Sequence, residues 1–369
     1  MKVLVTGADG FVGKNLSVVL AERPGIEILR FTRESTAGNL QSLVASADFI
    51  FHLAGVNRPT EPQDFMVDNV DLTAHLCAAV VAAGRPIPVV LSSSTQADRD
   101  NDYGRSKRAA EGLLAAMGRT TGSPVYLFRL PNVFGKWCRP NYNSAVANFC
   151  HNISRGLPIR IDDANAVVTL VYIDDVVSTF VSLLDGSRAP VDLLTRVAPE
   201  YRISVGALAD QIRAFQHCRS TLVSERVGTG LTRALYATYV SYLPTESFVY
   251  EIPQYGDARG VFVEMLKTPD CGQFSFFTAH PGVTRGGHYH HSKTEKFLVI
   301  KGKAHFRFRQ LLTGAYHEVT TTGEKPVIVE TVPGWTHDIT NIGEDEMVVM
   351  LWANEIFDRG RPDTVARAL

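Results

Sequence analysis

Three glycines, Gly7, Gly10 and Gly13, close the short apolar run Val3-Leu4-Val5-Thr6 and open a stretch with helical character. A strand that turns through glycines into a helix brings its backbone close to a neighbour or to a pyrophosphate. The charge of such a ligand then meets the free N–H groups and positive dipole end of the helix. The spacing is GxxGxxG, and a glycine turn can serve turn geometry alone. Its weight here comes from its place on the first strand of an alternating series. Strands are expected over 2–5, 26–31, 49–53, 88–91 and 125–130, with helices over 14–22, 72–83 and 105–117. Strands alternating with helices imply a parallel sheet covered on both faces.

Near residue 245 the texture changes to period two. Ala304-His305-Phe306-Arg307-Phe308-Arg309 alternates sides, as do Val261-Phe262-Val263-Glu264 and residues 273–277. Pro281-Gly282, Lys301-Gly302, Thr313-Gly314 and Pro333-Gly334 supply turns between them. The reading is a Rossmann-type doubly wound α/β domain over 1–244, then an all-β jelly roll of the cupin kind over 245–369. Residues 185–245 read as largely helical, over 204–216 and 230–239.

Hydrophobic residues are 45% and charged residues 20%, enough apolar material for two cores, and 37 basic against 38 acidic residues leave a net charge of −1. Such a balance gives no basic face for nucleic acid or an anionic membrane. No apolar run approaches the ~18–20 residues of a membrane span. The five cysteines, Cys77, Cys138, Cys150, Cys218 and Cys271, form no CxxC pair and read as a reduced set. No signal peptide is read at the start, and a cytoplasmic location is expected.

Two groups of side chains carry chemistry in the first part. Arg33, twenty residues beyond Gly13, stands where an NAD enzyme would place an acidic residue against the ribose, and a guanidinium there suits the 2′-phosphate of NADPH. Tyr103-Gly104-Arg105-Ser106-Lys107 puts a phenol and an ammonium one helical turn apart. Lys107 is expected to pull the Tyr103 phenol down from its ordinary value of about 10, so that it trades a proton with a carbonyl or alcohol oxygen. Ser92-Ser93-Ser94 offers a hydroxyl to the same oxygen.

Together these residues resemble the extended short-chain dehydrogenase/reductase family of nucleotide-sugar enzymes. Phe51-His52-Leu53-Ala54-Gly55, Asp68-Asn69-Val70, Arg129-Leu130-Pro131-Asn132-Val133-Phe134-Gly135 and Val171-Tyr172-Ile173-Asp174-Asp175 follow in the family's order, so the resemblance spans about 1–240. It implies catalysis by Ser94, with Ser93 in reserve, Tyr103 and Lys107. It also implies a cofactor lying along Gly7, Gly10, Phe11, Val12, Gly13, Arg33, Leu53, Ala54, Tyr103 and Lys107. One departure is that the usual third strand, with its Gly-Asp for the adenine, is missing between Arg33 and Phe49.

The second part carries Gly282-x5-His288-x-His290-x4-Glu295-x6-Gly302, then Gly334-x2-His337-x3-Asn341, which match the two cupin motifs apart from the placement of one proline. His288, His290, Glu295 and His337 can converge inside a β-barrel on Zn²⁺, Fe²⁺, Mn²⁺ or Ni²⁺. His291, His305 and His317 are left as structural or surface residues. The stretches Asp257-Ala258-Arg259-Gly260-Val261-Phe262-Val263-Glu264 and Gly282-Val283-Thr284-Arg285-Gly286-Gly287-His288-Tyr289 also resemble the cupin-fold epimerases of 4-keto-6-deoxy sugar nucleotides. There the corresponding histidine is a free base. His288 cannot be ligand and base at once; as a ligand it leaves the base to Tyr289, Glu264 or a bound water.

Both parts together resemble the bifunctional epimerase–reductases of UDP-N-acetyl-L-fucosamine synthesis. The residues carrying this are Phe51-His52-Leu53-Ala54-Gly55-Val56-Asn57-Arg58-Pro59, Leu91-Ser92-Ser93-Ser94-Thr95-Gln96-Ala97 and Thr294-Glu295-Lys296-Phe297-Leu298-Val299. That resemblance implies a UDP-4-keto-6-deoxy amino sugar as substrate, UDP-2-acetamido-2,6-dideoxy-L-arabino-4-hexulose, NADPH, zinc in the cupin and a homodimer. Asn132, Arg129, Arg160, Arg259, Phe262 and Glu264 are the candidate substrate contacts. A reductase alone, with the all-β part structural or dimerising, is the rival reading.

Overall fold

The opening strand β1 (Lys2–Thr6) is buried along nearly its whole length, as is β3 (Phe49–His52). Continuous apolar strands of this kind need cover on both faces of a sheet, which a parallel arrangement with crossover helices provides. The computed structural model describes residues 1–57, 65–186, 194–253, 255–257, 260–262, 265–266, 272–355, 358 and 360–369. In chain order β1 leads into α1 (Phe11–Ala21), β2 (Glu27–Phe31), α2 (Ala37–Ser46) and β3. Then come α3 (Leu72–Ala82), β4 (Val89–Ser94), α4 (Asp102–Thr121), β5 (Val125–Leu130) and β6 (Asn132–Phe134). The middle of the chain adds α5 (Ala145–Ile153), β7 (Val167–Tyr172), α6 (Ile173–Ser182), β8 (Leu194–Thr195), β9 (Glu200–Ser204), α7 (Val205–Thr221) and α8 (Gly230–Ser241).

The main sheet has six parallel strands in the order β2-β1-β3-β4-β5-β8. On one face Leu40 and Val44 of α2, Leu76 and Val80 of α3 and Leu114 of α4 pack on Leu4, Ile50, Val89 and Leu91. On the other, Phe180 of α6 lies 5.8 Å from Phe51 and 4.9 Å from Phe128, ring centre to centre. The sheet is therefore doubly wound, as expected. The missing third strand is also accounted for: α2 fills the interval, and β2 ends the sheet. The sparse apolar content of α2 gives no helical period in the sequence, although its capping box is written in Thr36 and Asn39.

Beyond 245 the strand pairings among the described residues are antiparallel. The strands are β10 (Val249–Glu251), β11 (Tyr255–Asp257), β12 (Gly260–Phe262), β13 (Gln273–Ala279), β14 (Thr284–Tyr289), β15 (Glu295–Lys301) and β16 (Lys303–Gln310). After them come β17 (Tyr316–Thr322), β18 (Val327–Glu330), β19 (Trp335–Asn341), β20 (Met347–Ala353) and β21 (Val365–Ala366). They form two five-stranded sheets, β10-β18-β15-β20-β13 and β17-β16-β19-β14-β21, and a β11-β12 hairpin. The two large sheets face each other across rings such as Phe297 and Phe306, 5.8 Å apart.

The compact units do not part at residue 244. One is Met1–Ser144 with Val168–Arg202; the other is Ala145–Val167 with Ile203–Leu369. Helices α7 and α8 thus belong with the all-β part, and the change of texture marks a change of element type inside that unit. A buried charge cluster holds them: Glu330 of β18 binds Arg219 of α7 at 2.5 Å and also the ammonium of Lys296 on β15. The Tyr236 hydroxyl of α8 donates to the same carboxylate. Within the region read as largely helical, Leu194–Thr195 and Glu200–Ser204 are strands, β8 and β9. Among the described residues no helix is long and apolar enough to cross a membrane.

Candidate functional site

In the first unit β1 ends in a glycine turn whose shape only glycine permits. Gly7 has φ of +67°, and a β-carbon there would sit 2.7 Å from the backbone nitrogen of Ala54. A β-carbon on Gly13 would sit 2.2 Å from the Gly7 carbonyl oxygen. The turn is therefore pressed against Leu53-Ala54 on one side and its own helix on the other. Gly10 caps α1 with no side-chain acceptor on the first-turn amides. Uncapped N–H groups at a helix start, beside a backbone without side chains, suit a pyrophosphate. Phe11 and Val12 are the first residues of that helix. Arg33 is exposed just past β2, within the turn closed by the Ser35 N–H donating to the Thr32 carbonyl at 3.2 Å. Sequence reading missed a nearer guanidinium, Arg30, which pairs at 2.6 Å with Asp9 inside the glycine turn.

Behind this turn runs a directed chain of hydrogen bonds. The N–H groups of Leu53 and Ala54 donate to Thr6 Oγ1, which lies 2.7 Å from His52 Nδ1. His52 Nε2 lies 2.9 Å from Thr73 Oγ1, whose proton goes to the Asn69 carbonyl at 2.6 Å. Since Thr73 donates onward, His52 must donate from Nε2 and accept at Nδ1. The ring is neutral, and burial followed by the charge of Lys107 holds its pKa down at about 3.

Ser94 ends β4, and Tyr103 lies in the first turn of α4, whose N-terminus is capped by Asn101 accepting from the Gly104 N–H at 2.7 Å. That geometry sets the Ser94 hydroxyl beside the Tyr103 phenol, close enough to pull its pKa down. Lys107, one turn on, is buried, donates to the Ser92 carbonyl at 3.1 Å and stands 5.9 Å from the centre of the Tyr103 ring. Ser93 is committed elsewhere, donating at 2.5 Å to buried Glu111. The expected lowering of the Tyr103 pKa is not what this arrangement yields. Burial raises it and outweighs the pull of the Ser94 hydroxyl, while Lys107 is itself brought down to about 8 by burial. Arg129 is a bracket for Glu111 and Asp98, at 2.6 and 2.5 Å. Asn132 is exposed and donates to the Thr169 carbonyl at 3.0 Å. Burial pushes the Cys77 and Cys138 thiols up to about 11, which leaves them poor nucleophiles.

In the second unit, β14 supplies His288, the turn after it His290, the first residue of β15 Glu295, and β19 His337, which pairs in register with His288. Their ligand atoms all lie within 4.8 Å of one another. His290 Nε2 is 3.1 Å from Glu295 Oε2, and His337 Nε2 is 3.6 Å from the same oxygen. The latter separation is too long for a hydrogen bond, and His337 Nε2 is buried without a partner. Burial alone would raise the Glu295 carboxyl, but the two facing imidazoles hold it well below the carboxylate range. Burial and the neighbouring His337 and His290 press His288 down to about 4. Three imidazoles, one carboxylate and an orphaned nitrogen suit a divalent cation.

The alternation of β14 turns Tyr289 away from this cluster, its ring 5.5 Å from His291. His291 donates its backbone N–H to Asp363, His305 faces Glu318 at 3.2 Å, and His317 stacks among Phe248 and Phe308. Arg160 is 89% exposed beside Asp162. Arg259 and Glu264 lie outside the described residues, and Phe262 is described only as a backbone position in β12.

A glycine turn on the first strand of a doubly wound sheet, with a serine, a tyrosine and a lysine gathered at the ends of β4 and α4, defines a nicotinamide-nucleotide enzyme fold. The model of the NAD dependent epimerase/dehydratase family matches residues 3–192, more than half of the chain, and the chain belongs to that family. A model described as the polysaccharide biosynthesis C-terminal domain matches residues 255–365. Among curated proteins it is similar to the UDP-2-acetamido-2,6-beta-L-arabino-hexul-4-ose reductase of Pseudomonas aeruginosa, 65% identical over 99% of this chain and 98% of the relative. Among solved structures it is similar to the capsular polysaccharide assembling protein CapF of Staphylococcus aureus, with a TM-score of 0.70 at 39% identity over the whole of both chains. The NAD complex of a Bacillus cereus UDP-glucuronic acid 4-epimerase matches 66% of this chain and 98% of its own, with a TM-score of 0.55 at 18% identity, and shares the fold.

Proposed function

We propose that the chain first inverts C3 and then reduces C4 of UDP-2-acetamido-2,6-dideoxy-L-arabino-4-hexulose, releasing UDP-2-acetamido-2,6-dideoxy-L-talose. The observation that carries the reading is the Ser94–Tyr103–Lys107 set gathered at the end of β4 and the start of α4, in a chain 65% identical along 99% of its length to a reductase named for that 4-keto sugar. The first unit is proposed to take NADPH, with the Gly7–Gly10–Gly13 turn on its pyrophosphate and Arg33 on its 2′-phosphate; the bound cofactor supplies the hydride that reaches C4. Ser94 holds the C4 oxygen and orients Tyr103. Tyr103 gives its proton to the oxygen as it becomes an alkoxide, and burial keeps the phenol protonated until then. Lys107, fixed on the Ser92 carbonyl, keeps a positive charge near the phenolate that results.

The second unit is proposed to work on C3. A 4-keto group acidifies the C3 hydrogen because the carbanion spreads into an enediolate. A base removes that proton and the carbon is reprotonated from the opposite face, so no electrons are exchanged. Once C4 is an alcohol the C3 hydrogen is no longer acidic, and inversion must precede reduction. His288, His290, Glu295 and His337 are proposed to hold zinc, which as a Lewis acid can polarise the keto group. With His288 in that set and Tyr289 turned away, the C3 base is proposed to be Glu264 or a bound water.

Tyr103→Phe tests the division of labour. Its NADPH oxidation with the 4-keto substrate is expected to fall by ~10²–10⁴-fold, the usual contribution of a general acid. Exchange of the C3 hydrogen should persist. Loss of both activities together would contradict separate sites.

A further inference from the structure

Residues 363–367 lie as a strap along the strand and turn that carry His288 and His290, and Asp363 is its anchor. Its carboxylate accepts from three successive backbone N–H groups: His291 at 2.8 Å, Ser292 at 2.9 Å and Lys293 at 2.7 Å. The Ser292 hydroxyl donates to it as well, at 3.0 Å. Three convergent amides form a concave anion site, and here one side chain of the same chain fills it. Asp363 holds φ of +36°, left-handed backbone that an aspartate tolerates but that needs support from its surroundings.

The backbone of the strap acts on the ligands themselves. The Asp363 carbonyl accepts from His290 Nδ1 at 2.5 Å. With Nδ1 held as the donor to that carbonyl, Nε2, the atom that faces Glu295, is the nitrogen left for a cation. Ala366 and Val365 pair with His288 and Tyr289 in the β14–β21 ladder, and the Arg367 N–H donates to the Gly287 carbonyl at 2.8 Å. Thr364 Oγ1 accepts from Lys293 Nζ at 3.0 Å, and that ammonium stands 3.6 Å from Glu295 Oε1. Glu295 is thereby offered to the histidines through one oxygen while its other oxygen faces the lysine.

We infer that Asp363 is a positioning residue of the metal centre. Through the turn 291–293 and the His290 ring, it sets the tautomer and direction of the ligands without touching the ion. The inference rests on the proposed metal site. The relation is invisible to motif spacing, since Asp363 lies 73 residues beyond His290.

The test is Co²⁺ titration of the full chain after chelator treatment, reading affinity by chelator competition and coordination by the visible d–d bands. Wild type, Asp363→Asn, Asp363→Ala and His337→Ala are compared, with unfolding of each metal-free protein measured in parallel. Wild type should take one Co²⁺ per chain, and His337→Ala should lose most of that affinity. Both Asp363 variants should bind ~10–100-fold more weakly, the usual effect of removing a residue that orients metal ligands, with altered band intensity. If Asp363→Ala fails to fold, Asp363→Asn, which keeps the side-chain shape and one acceptor oxygen, decides the matter. Wild-type affinity and spectrum in the Asp363 variants, even with lowered metal-free stability, would overturn the inference alone. A wild-type chain that takes up no Co²⁺ would instead remove the metal reading beneath it.

Discussion

His52 illustrates how much a single buried ring depends on its neighbours. Both nitrogens are satisfied only in the neutral form, one accepting near Thr6 and the other donating to Thr73. The folded pKa of about 3 lies below the ordinary 6.5, so between those values the unfolded chain binds a proton that the folded one refuses. The stabilising effect is present in full above pH 6.5 and is lost as pH falls toward 3. It amounts to up to about 5 kcal/mol, at about 1.36 kcal/mol per unit. His52→Gln should flatten the pH dependence of the urea midpoint across this window, and an unchanged slope would free His52 from that role. At this scale the sequence was legible where chemistry follows spacing. Tyr103 and Lys107 four apart, and His288, His290 and Glu295 in a motif, are gathered as their spacing implies. The Tyr103 pKa was not legible, because burial is a property of everything packed around α4 and no local pattern encodes it.

Among elements, α7 and α8 show how charge can tie a helix to a sheet. Glu330 faces two cations, Arg219 and Lys296, and all three side chains are largely removed from water. Removing the lone anion leaves two buried cations without compensation, whereas removing Lys296 leaves an Arg219–Glu330 pair. Glu330→Gln should therefore lower the stability of the second unit by ~3–5 kcal/mol, the usual effect of breaking a buried pair. Lys296→Met should have a clearly smaller effect. Equal losses in denaturant melts would show that packing, not charge balance, governs the cluster. None of this could be read in advance. Arg219, Lys296 and Glu330 are scattered along the chain, and a buried Lys296 looks like any solvated lysine of an alternating strand. The same holds for α2, whose mixed composition hides a helix that only its packing on Leu4 and Ile50 makes necessary.

For the whole molecule, the succession of a doubly wound sheet and an antiparallel all-β part was legible, because the hydrophobic period changes from alternating elements to two. The edge between compact units was not, since it depends on where α7 and α8 pack and not on what they are made of. Each unit carries its own chemical set, Ser94–Tyr103–Lys107 in one and His288–His290–Glu295–His337 in the other, and the proposed function assigns each a different carbon of one sugar. Deuterium exchange tests that claim most directly. The protein is incubated with the proposed UDP-4-keto-6-deoxy amino sugar in D₂O without NADPH, and label at C3 is followed. Deuterium at C3 before any reductant is added is the predicted result. No label at C3, with NADPH still oxidised once supplied, would contradict the account and leave a C4 reductase whose second unit is structural.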